Sequence, residues 1–135
     1  MDTGASTRFD NWYSYSDLTV GQDGLLYAQS SRTIRVYDPV SLSLQRTVTL
    51  PFSINGQSQV YRGIAVDATG DIYAASWREQ IHRFDSGGNV EASVTVPEPE
   101  PFFGSFTDID LSDDGRVVLG TYWGYLVQMD DDFTD

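Results

Sequence analysis

One pattern occurs three times in this chain, and its spacing constrains the fold more than any other feature. The copies read YSDLTVGQDGLLYAQSSRTIRVYD from Tyr15, YRGIAVDATGDIYAASWREQIHRFD from Tyr61 and FTDIDLSDDGRVVLGTYWGYLVQMD from Phe106, so the period is 46 residues and then 45. A unit of that size cannot bury a core by itself. It has to stack on its neighbours.

Within each copy the apolar residues alternate with others. Leu18 and Val20 alternate with Asp17 and Thr19, Ile64 and Val66 with Gly63 and Ala65, Ile109 and Leu111 with Asp108 and Asp110. A period of two is the mark of a strand. Each first strand runs into Gly21-Gln22-Asp23-Gly24, Asp67-Ala68-Thr69-Gly70 or Ser112-Asp113-Asp114-Gly115. The closing Gly reaches the positive φ that a tight hairpin needs, without a Cβ clash. A second strand, at 25–28, 71–75 and 116–120, therefore returns antiparallel.

Third strands fall at 34–37, 81–84 and 126–129, and each stops at an Asp: Asp38, Asp85 and Asp130. Pro39, or Gly87-Gly88-Asn89, then turns the chain into a fourth strand at 44–50 and 90–96, ended by Pro51 and Pro97. The third copy reaches Asp135 without one. Short antiparallel strands repeating at this period are the blades of a β-propeller. The predicted fold class is all-β, a half propeller of three four-stranded antiparallel blades in one domain, 1–135. Residues 1–14 precede blade 1 (15–60), blade 2 (61–105) and blade 3 (106–135).

The second copy, with Gly63-Ile64-Ala65-Val66-Asp67, Gly70-Asp71-Ile72-Tyr73-Ala74, Ile81 and Phe84-Asp85, resembles an NHL-type propeller repeat. The first is similar through Leu18-Thr19-Val20, Gly24, Leu26-Tyr27-Ala28 and Ile34-Arg35-Val36-Tyr37-Asp38; the third departs, with Val118 and Met129 where aromatics are expected. The resemblance covers roughly residues 15 to 130 and implies propeller architecture. It implies little about activity, because such propellers include scaffolds, sugar binders and a few enzymes.

A blade buries both faces only between two neighbours, so three in a row are expected to leave two apolar faces bare. Two copies of the chain give six blades and cover both, which makes a homodimer the expected assembly, with a trimeric ring of nine as the strained alternative. Ala5, Ser6, Thr7, Arg8 and Phe9 stand where a preceding fourth strand would lie, as Ala92-Ser93-Val94-Thr95-Val96 does before Phe106. They are the candidate closing strand. The plainer reading is a frayed terminus.

Net charge is −12, from 20 acidic residues against eight arginines and no lysine. Such a surface repels phosphate backbones and anionic headgroups, so neither nucleic acid nor membrane is an expected partner. The first six residues lack a basic start leading into an apolar stretch, so no signal peptide is expected. Without cysteine there is no disulfide, thiolate site or Cys nucleophile. The compartment stays open, a secreted or cell-surface setting being slightly preferred.

Loops at 29–33, 76–80 and 121–125, with the connections 51–60 and 97–105, share one face of a propeller. There Arg32, Trp77, Arg78, Phe102, Phe103, Tyr122 and Trp123 collect, residue types that anchor protein or sugar contacts. The plainer reading makes Trp77 and Trp123 fillers between blades. Pro97-Glu98-Pro99-Glu100-Pro101 is a stiff spacer. His82, the only histidine, sits within a third strand, where a hydrogen-bonded packing role is expected rather than a base. Asp17, Asp108 and Asp110 lie near the inner strands and could line a channel as an acid pair. Asp113-Asp114 and Asp130-Asp131-Asp132 do not match a calcium loop, and no metal or cofactor is expected.

The function these features favour is a non-enzymatic binding or scaffold module that self-assembles, with itself as first partner and a protein or glycan as second. Two alternatives stand beside it: a lectin-like propeller using the loop-face aromatics, and a fragment of a larger propeller enzyme.

Overall fold

The computed structural model describes residues 17–76, 80–96, 106–121, 124, 126–130 and 133. Blade 1 is a sheet of four antiparallel strands in sequence order, β1 (Asp17–Val20), β2 (Leu26–Ser30), β3 (Thr33–Tyr37) and β4 (Leu44–Thr49). A two-residue-strand hairpin, β5 (Ser53–Ile54) and β6 (Gln57–Ser58), stands in the connection to blade 2. Blade 2 repeats the four-strand meander with β7 (Tyr61–Val66), β8 (Ile72–Ser76), β9 (Gln80–Phe84) and β10 (Val90–Thr95). In blade 3, β11 (Phe106–Leu111), β12 (Arg116–Thr121) and β13 (Leu126–Asp130) form three strands among the described residues.

One turn is used in all three blades between the first two strands. Gly24, Gly70 and Gly115 sit at φ of 86°, 89° and 85°, and their N–H groups donate to the carbonyls of Gly21, Asp67 and Ser112. The N–H of that first residue donates in turn to the carbonyl four positions on, Leu25, Asp71 or Arg116. This is a type I turn finished by a left-handed residue, which suits the twist of a hairpin. Blade 2 uses it again at Asp85 to Asn89, with Gly88 at φ 90°.

Side chains of alternate parity on each strand fill two slabs between blades. The slab between blades 1 and 2 holds Tyr27, Ile34 and Val36 against Ile64, Ile72 and Phe84, all essentially buried. The slab between blades 2 and 3 sets Ala65, Tyr73 and Ile81 against Ile109, Leu119 and Met129. Directional bonds add to this packing. The N–H of Gln22 donates to the carbonyl of Val66 at 3.0 Å, and the N–H of Ile64 donates to Asp17 Oδ2 at 2.9 Å.

The two end faces are unlike, and this corrects the expectation of two bare apolar faces. On blade 1 the face turned away from blade 2 carries Leu18 and Val20, 62% and 67% exposed, with Leu44 half exposed, whereas Ala28 and Tyr37 on the same face are buried. On blade 3 the register places Asp108, Asp110, Gly120 and Gln128 on the face turned from blade 2, beside Val118 and Leu126. Arg116 and Asp130 pair there at 3.3 Å. Asp108 and Asp110 thus occupy the positions where blade 2 places Gly63 and Ala65, so this face is mixed in polarity.

Candidate functional site

Of the loop-face residues singled out in the sequence, Arg32 is described. It lies in the β2–β3 turn after Ser31, which takes a left-handed φ of 54°. Its guanidinium stands 5.6 Å from the centre of the Phe52 ring and donates to the carbonyl of Leu50 at 3.5 Å. Trp77, Arg78, Phe102, Phe103, Tyr122 and Trp123 lie outside the described residues, as do Ala5, Ser6, Thr7, Arg8 and Phe9.

A concavity lies between the β5–β6 hairpin and the outer strands of blade 2. Asn55 and Gly56, at φ 53° and 77°, make the two-residue turn that brings β6 back. The hairpin is held by Ile54, 8% exposed and packed into the slab between blades 1 and 2. Between it and the blade is a cavity of about 170 Å³, lined by Asn55 and Gln57, by Gln80 and His82 of β9, and by Ser93 and Thr95 of β10. Ile54 supplies its apolar side chain, while Val94, which also lines it, packs its own side chain into the slab between blades 2 and 3.

A chain of hydrogen bonds runs behind this cavity, and its polarity can be deduced. Gln59 Nε2 donates to the backbone carbonyl of Gln57 at 3.1 Å, a group that can only accept. Gln59 Oε1 is thereby turned the other way, where it accepts from Ser76 Oγ at 2.6 Å and faces His82 Nε2 at 3.0 Å. The histidine must carry its proton on Nε2. Nδ1 is then an acceptor, and Ser93 Oγ donates to it at 2.7 Å. Burial depresses the imidazole to a pKa of about 4, so the ring is neutral at pH 7. The role expected of His82, a hydrogen-bonded packing residue, matches its 1% exposure and its two partners.

A serine donating to a histidine invites a catalytic reading, but the ring is a weak base at this pKa. Behind it stands an amide, which cannot stabilise an imidazolium as a carboxylate does. The inner-strand acids form a second feature. Asp17 and Asp108 flank Gly63, where a Cβ would meet their carboxylates at 3.3 and 3.6 Å. Each accepts from backbone, Asp17 Oδ1 from Leu18 and Asp108 Oδ1 from Ile109, while Asp110 is exposed and accepts from Leu111.

No protein-family profile matches the chain, and no curated protein does. Solved structures do. The β-propeller domain of Cps50 (Swd1) from Myceliophteria thermophila superposes with a TM-score of 0.60 at 11% identity, over 93% of this chain and 38% of that one. The WD40 β-propeller domain of Doa1 gives 0.54 at 20% identity, over 83% and 34%. Sqt1 of Saccharomyces cerevisiae gives 0.57 at 11% identity, over 82% and 29%. Meander sheets, face-to-face slabs and these likenesses together define the class: an all-β protein of propeller-like architecture. The chain spans about a third of the length of the structures it matches.

Proposed function

We infer that this chain is a three-blade propeller segment acting as a non-enzymatic binding and scaffold unit, and that a second copy completes its ring as a six-bladed dimer. One observation carries the assembly. Leu18 and Val20 stand more than 60% exposed at the repeat positions where Ile64, Val66 and Ile109 are buried against a preceding blade. In the dimer, blade 3 of the partner takes that preceding place, offering Val118 and Leu126 to the apolar strand. The outer edge of β13 receives residues 5–9 of the partner as its fourth strand. Because the blade 3 face is mixed in polarity, this contact is weaker than the two internal slabs. Loop-face aromatics, or a protein bound on that face, fit the same scaffold. At the level of repeat type, the strand-and-turn pattern is NHL-like while the structural neighbours include a WD40 domain.

Multi-angle light scattering on the whole chain at micromolar concentration tests this. The mass should be close to twice 15.0 kDa, falling towards the single mass on dilution. A folded chain of single mass at every concentration overturns the dimer. That outcome favours the second reading, a fragment of a longer ring, which the one-third coverage of the neighbours also supports.

A further inference from the structure

The lining of the hairpin cavity holds no Asp, Glu, Lys or Arg, although the chain carries 28 such residues among 135. Its polar groups are amides, hydroxyls and one imidazole. Those groups are also held in fixed donor and acceptor roles. Gln80 Oε1 accepts from Gln59 Nε2 at 3.1 Å, so its own Nε2 is the atom that donates to Gln57 Oε1 at 2.7 Å. The Nε2 of Gln57, an exposed residue, is thereby left as a two-proton donor at the lip. Ser93 spends its proton on His82 Nδ1, so its oxygen faces the cavity as an acceptor.

A pure donor on one side and a pure acceptor on the other, fixed by a buried relay, is complementary to a neutral group that both accepts and donates. Hydroxyls do this, and two neighbouring hydroxyls can span such a pair. The aliphatic side chain of Ile54 at its wall suits the C–H face of a sugar ring. At about 170 Å³ the cavity is smaller than the roughly 300 Å³ at which drug-sized sites begin. It holds a single ring.

We propose that this cavity is a subsite for one neutral sugar residue, with Gln57 donating to and Ser93 accepting from adjacent ring hydroxyls. It lies within one chain, so it operates in monomer and dimer alike. A charged sugar is excluded, because the lining offers no counter-charge to a carboxylate and the chain around it is strongly negative.

Saturation-transfer NMR on the full chain, with free glucose, galactose, mannose, fucose, N-acetylglucosamine and glucuronic acid, tests the subsite. At least one neutral sugar should bind with a Kd on the order of 1 mM, and Ser93→Ala and Gln57→Leu should each weaken it by about tenfold. Gln57 is exposed, so that variant keeps the test valid even if the Ser93 variant fails to fold. The proposal is overturned if no neutral sugar transfers saturation, if folded variants bind as the parent does, or if glucuronic acid binds as well as glucose.

Discussion

Two glycines with nearly the same φ separate conformational from steric demand. Gly24, at 86°, has nothing within 4 Å of where a Cβ would stand; Gly88, at 90°, would push one to 2.9 Å from Val48 Cγ1 and 3.1 Å from the Thr49 carbonyl of blade 1. Gly24→Ala should therefore cost only the left-handed backbone, about 1 to 2 kcal/mol. Gly88→Ala should add overpacking of roughly 1 to 3 kcal/mol, and urea unfolding of the two variants measures the difference. His82 makes a second prediction. Its folded pKa of about 4 lies below its ordinary 6.5, so as pH falls through that window the unfolded chain takes up a proton that the folded chain refuses. Stability should drop by up to roughly 3 kcal/mol between pH 6.5 and 4. Asp71, pushed up to about 6 by burial and then by Glu91, tilts the curve the other way, since its folded form binds the proton first. The readout is accordingly the difference between the parent and His82→Gln, which should lose the His82 component. A parallel pair of curves would show that the imidazole is not held neutral.

At the scale of elements, the strands and the repeated turns were legible because period two and a glycine at the fourth turn position are local signals. Leu26–Ser30 and Arg116–Thr121 run a residue or two longer than the pattern suggested, since pairing continues past the last apolar residue. The β5–β6 hairpin was read only as a connection, although Asn55-Gly56 is among the strongest two-residue hairpin signals; strands of two residues leave no alternation to see. The relay through Gln59, Ser76, His82 and Ser93 was not legible at all. Its hydrogen-bonded pairs are 11 to 23 residues apart and meet only once the fold is known. For the hairpin the expected measurement is simple: Ile54 is its one anchor in the core cluster, so Ile54→Ala should cost about 2 to 5 kcal/mol. Amide exchange should then quicken at Gln59, whose N–H donates to the Phe52 carbonyl across the base of the hairpin. Unchanged exchange would mean that the hairpin is held by its turn alone.

Across the whole molecule, what decides behaviour is the difference between the end faces. Val20→Arg places a charge on the exposed apolar strand of blade 1 and touches neither internal slab. It should return the proposed dimer to single mass with the thermal midpoint of the chain within a few degrees, read by light scattering and calorimetry together. A doubled mass that survives the change would place the contact elsewhere. The apolar face was legible in Leu18 and Val20, but the mixed one was not, because Asp108, Asp110 and Gln128 are assigned to a side only by the register of β11, β12 and β13. Unlike ends also give the three-blade unit a direction, as in a monomer that joins head to tail. Such a joint closes when the turn from one unit to the next comes round to the start, and otherwise runs on as an open filament. The angle between blades, more than the strength of the contact, therefore separates a finite ring from a fibre.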